Sequence, residues 1–258
     1  MTASITALSF TPVKGTRLRT AERLTLGRGG APENRRFYVI DDRGRMLNSK
    51  VLGELQTVVS ELRDGGRLAL RFPDGRVIED EVRDVEIVQT SFFSEPREDF
   101  LVDGPFSAAL SEHLGKSVRL IRAVAESGAV DRGPRGTVSL ISRESLAVLA
   151  SEAAVDFLDP RRFRMLIEID GVAAHAEDTW VGRRVRAGAA LLAFHGHVGR
   201  CLITSRDPET GVIDVPTLDV LREYRGDAES TEPLPFGVWG EVLEPGTVGL
   251  GDPVTPVD

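Results

Sequence analysis

Short apolar runs, each closed by a proline or a glycine turn, fill the sequence from Ile5 to about Arg122. Ser4 to Phe10 ends at Thr11-Pro12-Val13-Lys14-Gly15, where proline removes a backbone donor and glycine allows the chain to turn, leaving Lys14 at a strand end. Arg36-Phe37-Tyr38-Val39-Ile40 is rich in β-branched and aromatic residues and stops at Asp41-Asp42-Arg43-Gly44. Leu68 to Phe72 and Val77-Ile78 flank Pro73-Asp74-Gly75, a hairpin turn. Strands this short and this regularly spaced bury enough surface only by curling into a barrel or stacking as a sandwich. Helices are few. Phe106, Leu110 and Leu114 share one face with Gly115 as the stop, Ser142 opens a second helix through Leu146, Leu149, Ala150 and Ala153, and Leu218, Leu221 and Tyr224 suggest a third. The fold class expected is mainly β with a few short helices.

The polar, glycine-rich stretch from Glu126 to Gly136 is the best linker candidate, which divides the chain into residues 1–122 and 123–258. In the second half, Phe163 to Asp170 alternates as a strand would, and this alternation turns Arg164 away from the apolar face of Phe163. Val185 to Phe194 reads as one buried strand leading into a glycine-bearing loop from His195 to Cys201, and the chain closes with strands at Gly237 to Leu243 and Val248 to Val254.

A single cysteine, Cys201, cannot form an internal disulfide, so the chain must fold on its apolar core. The thiol is left with inert packing, nucleophilic chemistry or ligation of a soft metal, and Arg200 beside it places a positive charge that favours the thiolate. His195, His197 and Cys201 also form H-x-H-x-x-x-C, which would suit zinc if a fourth position stayed open, although no further ligand cluster is evident. The net charge of −8 and pI near 5.2 oppose nonspecific nucleic-acid binding. The absence of a basic leader or a long apolar run points to a cytoplasmic protein with no membrane partner. Serine-elbow, Walker and dinucleotide-binding motifs are missing.

Six short motifs stand in order: Pro12-Val13-Lys14, Arg35-Arg36-Phe37-Tyr38, Asp159 to Arg164, Ala176-Glu177-Asp178-Thr179-Trp180, Arg200-Cys201 and Asp207-Pro208-Glu209-Thr210-Gly211. Together they resemble the MOSC family, and within it the amidoxime-reducing members. The resemblance implies an N-terminal β-barrel domain followed by a MOSC β-barrel domain, and a molybdenum cofactor (molybdopterin) whose metal Cys201 ligates. Lys14, Arg36, Ser142, Arg164 and Arg200 would bind the cofactor, and His197 would deliver a proton at the catalytic centre. Pyridoxal phosphate is left open as another phosphate-bearing ligand. The activity implied is reduction of N-hydroxylated small molecules, amidoximes and hydroxylamines, with electrons from an external donor of ferredoxin or flavoprotein type. A noncatalytic cofactor or sulfur carrier, and a member that has lost the cofactor, are the alternatives. They are fed by two departures: Gly15 stands where those members have serine, and Leu166 where they have asparagine. Trp180 reads better as a core anchor, and Asp207 as the builder of a turn.

Overall fold

In the computed structural model, which describes residues 2–92, 95–124 and 133–257, the chain is mainly β, with three α-helices among the described residues. Seven strands close into a barrel, in the order Ala3–Phe10, Ile167–Asp170, Val138–Ser142, Pro235–Glu244, Ala190–Gly199, Arg184–Ala187 and Pro253–Val257, with the last pairing back to the first. Only Val138–Ser142 and Ile167–Asp170 run parallel; every other barrel pair is antiparallel. The first strand of the sequence is therefore built into the barrel formed by the chain's second half.

Side-chain alternation explains how that strand fits. Ala3 and Ile5 face the barrel core from odd positions, Leu8 and Phe10 from even ones, and the change of parity falls where the pairing slips between Ile5 and Ala7. Barrel closure also leaves the sheet no free edge between these seven strands.

The remainder of the first half forms a five-stranded antiparallel sheet, Met46–Leu47, Phe37–Ile40, Arg119–Arg122, Glu95–Val102 and Asp84–Phe92, beside a three-stranded meander, Val59–Arg63, Arg67–Arg71 and Val77–Glu81. Phe37–Ile40 is buried at every position because its two faces enter two cores: Phe37 and Val39 pack with Phe106 and Leu110, Tyr38 and Ile40 with Phe92 and Ile121. The helix expected from Phe106 is α1 (Phe106–Leu114), stopped by Gly115 in the left-handed conformation at φ 59°. Ser142 caps α2 (Arg143–Glu152), its hydroxyl accepting from the Ser145 amide, and the third helix is α3 (Thr217–Arg225). No helix among the described residues is long and apolar enough to cross a membrane. Most of the candidate linker, residues 126–132, lies outside the described residues.

Four expectations change. Phe163 is not in a strand: Asp159 accepts from the Arg161 amide and Pro160 opens a 3-10 turn, Pro160–Phe163, after which Arg164 is left-handed at φ 55° and the strand begins only at Ile167. Arg164 therefore takes its direction from the turn, not from strand alternation. Val185 to Phe194 is a hairpin, Arg184–Ala187 and Ala190–Gly199, turned at Gly188 with φ 51°. The expected loop from His195 is strand through Gly199. Its glycines serve close approach, since a Cβ on Gly196 would stand 2.7 Å from Thr231 Oγ1. The closing segment likewise contains three strands, Pro235–Glu244, Gly246–Gly249 and Pro253–Val257.

Candidate functional site

A cleft of about 430 Å³ opens where the end of the barrel meets loops of the first half. The first half contributes Lys14, Gly15, Asn34, Arg35, Asn48, Ser49 and Lys50; the barrel side contributes Thr137, Arg164, Leu166, Arg200, Cys201, Glu232 and Trp239, among others. Lys14, Arg35, Lys50, Arg164 and Arg200 thus face one carboxylate, Glu232, in a chain whose net charge is −8. Such a concentration of cations against the sign of the whole molecule favours an anionic occupant.

The two sides are tied by bonds that also shape the cleft. Arg35 Nη2 donates to the Arg164 carbonyl at 2.6 Å, and Arg164 Nη2 to the Thr16 carbonyl at 2.7 Å. Both residues are left-handed, at φ 52° and 55°, a conformation that L-residues adopt only when their surroundings hold them there. Arg206 donates to the Lys50 carbonyl at 3.1 Å and to the Gly211 carbonyl at 2.6 Å. Gly211 lies so close to Gly53 that a Cβ on it would sit 2.1 Å from the Gly53 oxygen, so this junction admits no side chain.

Cys201 is exposed and stands at the cap position of the 3-10 turn Leu202–Ser205. The turn fixes its backbone, because its carbonyl accepts from both the amide and the hydroxyl of Thr204, each at 3.1 Å. Arg200 donates to other segments of the fold. Its Nε donates to the Phe236 carbonyl at 2.8 Å, Nη1 to the Phe163 carbonyl at 2.9 Å, and Nη2 to Met165 Sδ at 3.2 Å, while the guanidinium lies 5.2 Å from the Phe163 ring centre. The arginine next to the cysteine therefore braces three segments around it.

Of the candidate residues, the cleft brings together Lys14, Arg164, Arg200 and Cys201. Arg36, Ser142 and His197 are not among its lining residues. Arg35 takes the position expected of Arg36, because its left-handed backbone turns the chain just before Phe37–Ile40 begins. Ser142 is fully buried, and the α2 N-terminus already has its acceptor: Glu177 Oε1 accepts from the Ser142 amide at 3.1 Å and from Ser145 Oγ at 2.7 Å. Burial pushes the Glu177 carboxyl up despite these bonds. His197 is 6% exposed, its Nδ1 accepting from the Thr231 amide at 3.3 Å and its Nε2 lying 3.9 Å from Asp178, which pairs with Arg225 at 2.6 Å. His195 Nε2 is 2.7 Å from Glu241. Among the described residues no three His, Cys, Asp or Glu side chains converge as a metal cluster, so His195, His197 and Cys201 do not assemble a zinc site. Trp180 is a core residue, and Asp207 folds a turn by accepting from the Glu209 and Thr210 amides at 3.0 and 2.8 Å. Although desolvation pushes the Asp207 carboxyl up, those donors hold it below its usual range.

Sequence reasoning missed Arg35, Lys50, Asn34, Ser49 and Thr137. For Lys50 a signal existed, because lysine occurs only at Lys14, Lys50 and Lys116 and two of the three line the cleft. The Ser49 and Thr137 hydroxyls are buried without a hydrogen-bond partner in the cleft wall, at residue exposures of 0% and 2%. Orphaned hydroxyls, several cations and one exposed thiol fit an occupant that is anionic, rich in acceptors and carries a soft metal.

Packed against Tyr224 and Phe236, His175 caps the turn Ala176–Trp180 in a left-handed conformation at φ 61°, with neither ring nitrogen hydrogen-bonded. Burial, then the Arg225 charge, lowers its pKa to about 4, with Asp178 opposing. The unfolded chain protonates this ring near 6.5 and the folded one near 4, so between these values the unfolded state binds more protons and stability falls as pH drops. His175→Asn, whose side chain tolerates the same backbone, is expected to flatten that acid limb, as read from melting temperatures measured across pH 4 to 6.5. An acid limb as steep as that of the wild type would show that another group causes it.

Comparison with known proteins gives the chain a family. The zebrafish (Danio rerio) mitochondrial amidoxime-reducing component 1 is 27% identical to this chain over 277 aligned positions, spanning 97% of the chain and 83% of that protein. The mouse (Mus musculus) protein of the same description is 34% identical over 121 residues, a match spanning 42% of the chain and only 35% of that protein's length. Among solved structures, the YuaD protein of Bacillus subtilis superposes with a TM-score of 0.45 at 14% identity, covering 98% of this chain and 94% of its own. The model of the MOSC N-terminal β-barrel domain matches residues 2–111 and that of the MOSC domain residues 127–255, and the chain belongs to the MOSC family.

Proposed function

We propose that the cleft binds a molybdenum–pterin cofactor and that the protein reduces N-hydroxylated small molecules such as amidoximes and hydroxylamines. The observation that carries this reading is the exposed Cys201 thiol, held on a braced turn inside a cleft whose cations oppose the charge of the molecule. When bound, the cofactor would supply the two-electron redox chemistry that the reduction needs.

The chain's own residues would do the rest. Cys201 would ligate the metal as a thiolate, a soft ligand suited to it. Lys14, Arg35, Lys50 and Arg164 would hold the phosphate, and the arginines can do so with two parallel hydrogen bonds. Arg200 would act at one remove by fixing the turn that presents Cys201. His197 would position the end of strand Ala190–Gly199 through its bonds with Thr231. The same proposal divides the chain at residues 122 and 123, with the cleft between the two parts and the first strand lent to the second barrel. Electrons would come from an external donor of ferredoxin or flavoprotein type.

The test is protein made in a host that synthesises the cofactor, analysed for molybdenum and pterin and then given reduced viologen with an amidoxime. About one equivalent of each and steady turnover are expected. Full molybdenum content without turnover, but with transfer of the cofactor to an acceptor apoenzyme, would replace the reductase by a carrier.

A further inference from the structure

We infer that Ser49 is an anion-binding residue of the cleft, its hydroxyl donating to a phosphate oxygen of whatever occupies it. This deepens the proposal above and rests on it for the identity of the occupant, a phosphate-bearing cofactor.

The Ser49 side chain belongs to the cleft wall, is fully buried, and its hydroxyl has no hydrogen-bond partner. Leaving a buried hydroxyl unpaired costs ~1–3 kcal/mol, so native structures rarely keep one without a reason. The backbone around it is fixed from three directions. Asn48 Oδ1 accepts from the Lys50 amide at 2.9 Å, and the Asn48 carbonyl accepts from the Val51 and Leu52 amides at 3.0 and 2.9 Å. Arg206, from the turn after Cys201, holds the Lys50 carbonyl. On the opposite side the segment packs on Gly15, where a Cβ would meet the Ser49 amide nitrogen at 3.3 Å and Leu55 Cδ1 at 3.2 Å.

That contact has a consequence for the neighbouring strand end. Gly15 is left-handed at φ +94°, so any side chain there would be strained as well as crowded, and position 15 cannot supply a hydroxyl to the cleft without moving Ser49. Ser49 occupies the place from which the hydroxyl can come. Lys14 and Lys50, both lining the cleft, bring the charge that makes an oxyanion the fitting acceptor.

The test compares wild type with Ser49→Ala, and with Ser49→Gly as a second way to remove the hydroxyl. Two probes are used: cofactor retention in the holoprotein during prolonged dialysis, read as molybdenum and pterin content, and melting temperature of the apoprotein in inorganic phosphate against chloride at matched ionic strength. Cofactor loss is expected to become about ten-fold faster, the equivalent of one hydrogen bond to a charged group. The gain in melting temperature given by phosphate should shrink in both variants, while the Ser49→Ala apoprotein in chloride melts no lower than wild type, because the hydroxyl removed had no partner to lose. A merely structural serine would do the reverse and lower the chloride value. Equal retention and equal phosphate response in wild type and variants would overturn the inference. Should wild type take up no cofactor while its phosphate response still depends on Ser49, the cofactor reading fails and the anion-binding role stands.

Discussion

Cys201→Ser protein from a host that makes the molybdenum cofactor is expected to contain less than about a tenth of the molybdenum of wild type and to lose amidoxime reduction in proportion. The hydroxyl is nearly the size of the thiol but is a hard, weakly acidic donor, so a soft metal bound here would lose the ligand proposed for it. The fold has no stake in the exchange: Cys201 is exposed, and the bonds that anchor the turn come from its carbonyl, which serine keeps. The melting temperature of the apoprotein should therefore stay within about a degree of wild type. Pterin content separates two outcomes. Pterin retained without metal places the cations, not the thiolate, in charge of cofactor affinity; loss of both makes the thiolate the main anchor. Full molybdenum occupancy in the variant would remove Cys201 from the metal.

Part of this site was legible in the residues. The strand Phe37–Ile40 announces itself through consecutive apolar and β-branched side chains, α1 through its apolar spacing and Gly115, and α2 through Ser142, since each of these signals is local. Lys14 and Cys201 are legible for the same reason: each stands at a break in apolar pattern, where a strand ends or a turn begins. What the sequence hides is set by distant contacts. Nothing in Arg35-Arg36 says which arginine enters the cleft, because the choice follows from a left-handed backbone held by the Arg35 bond to the Arg164 carbonyl, 129 residues away. The apparent strand alternation at Phe163 and Met165 misleads because Asp159 and Pro160 fold a turn there. Ser142 looked available to an anion, and only the tertiary fold brings Glu177 to the α2 N-terminus first. Ser49 carries no local signal; its unpartnered hydroxyl is visible only once Gly15 and the cleft are in place.

Arg200 shows how a residue can be essential to a site without facing its ligand, and Arg200→Lys separates the two roles. Lysine keeps the positive charge beside Cys201 but cannot reproduce the fork that bonds the Phe163 and Phe236 carbonyls and reaches Met165 Sδ. These contacts join the 3-10 turn Pro160–Phe163, the strand Pro235–Glu244 and the cysteine turn, so losing them frees three segments at one point. Carbonyls left without a charged donor cost ~3 kcal/mol together, which for a chain of this length corresponds to a melting temperature lower by roughly 6–10 °C. The decisive measurement is thermal unfolding of the apoprotein, where no cofactor can contribute. A marked fall there, accompanied by reduced molybdenum retention in the holoprotein, is the expected pair of results. If the lysine variant melted like wild type as apoprotein yet held cofactor poorly, Arg200 would contact the cofactor itself; if it held cofactor normally after losing stability, the position of the cysteine turn would not depend on the brace. The first pair follows from the geometry because Arg200 directs its guanidinium to main-chain oxygens on either side of the turn, and the turn in turn fixes where the Cys201 thiol meets the cleft.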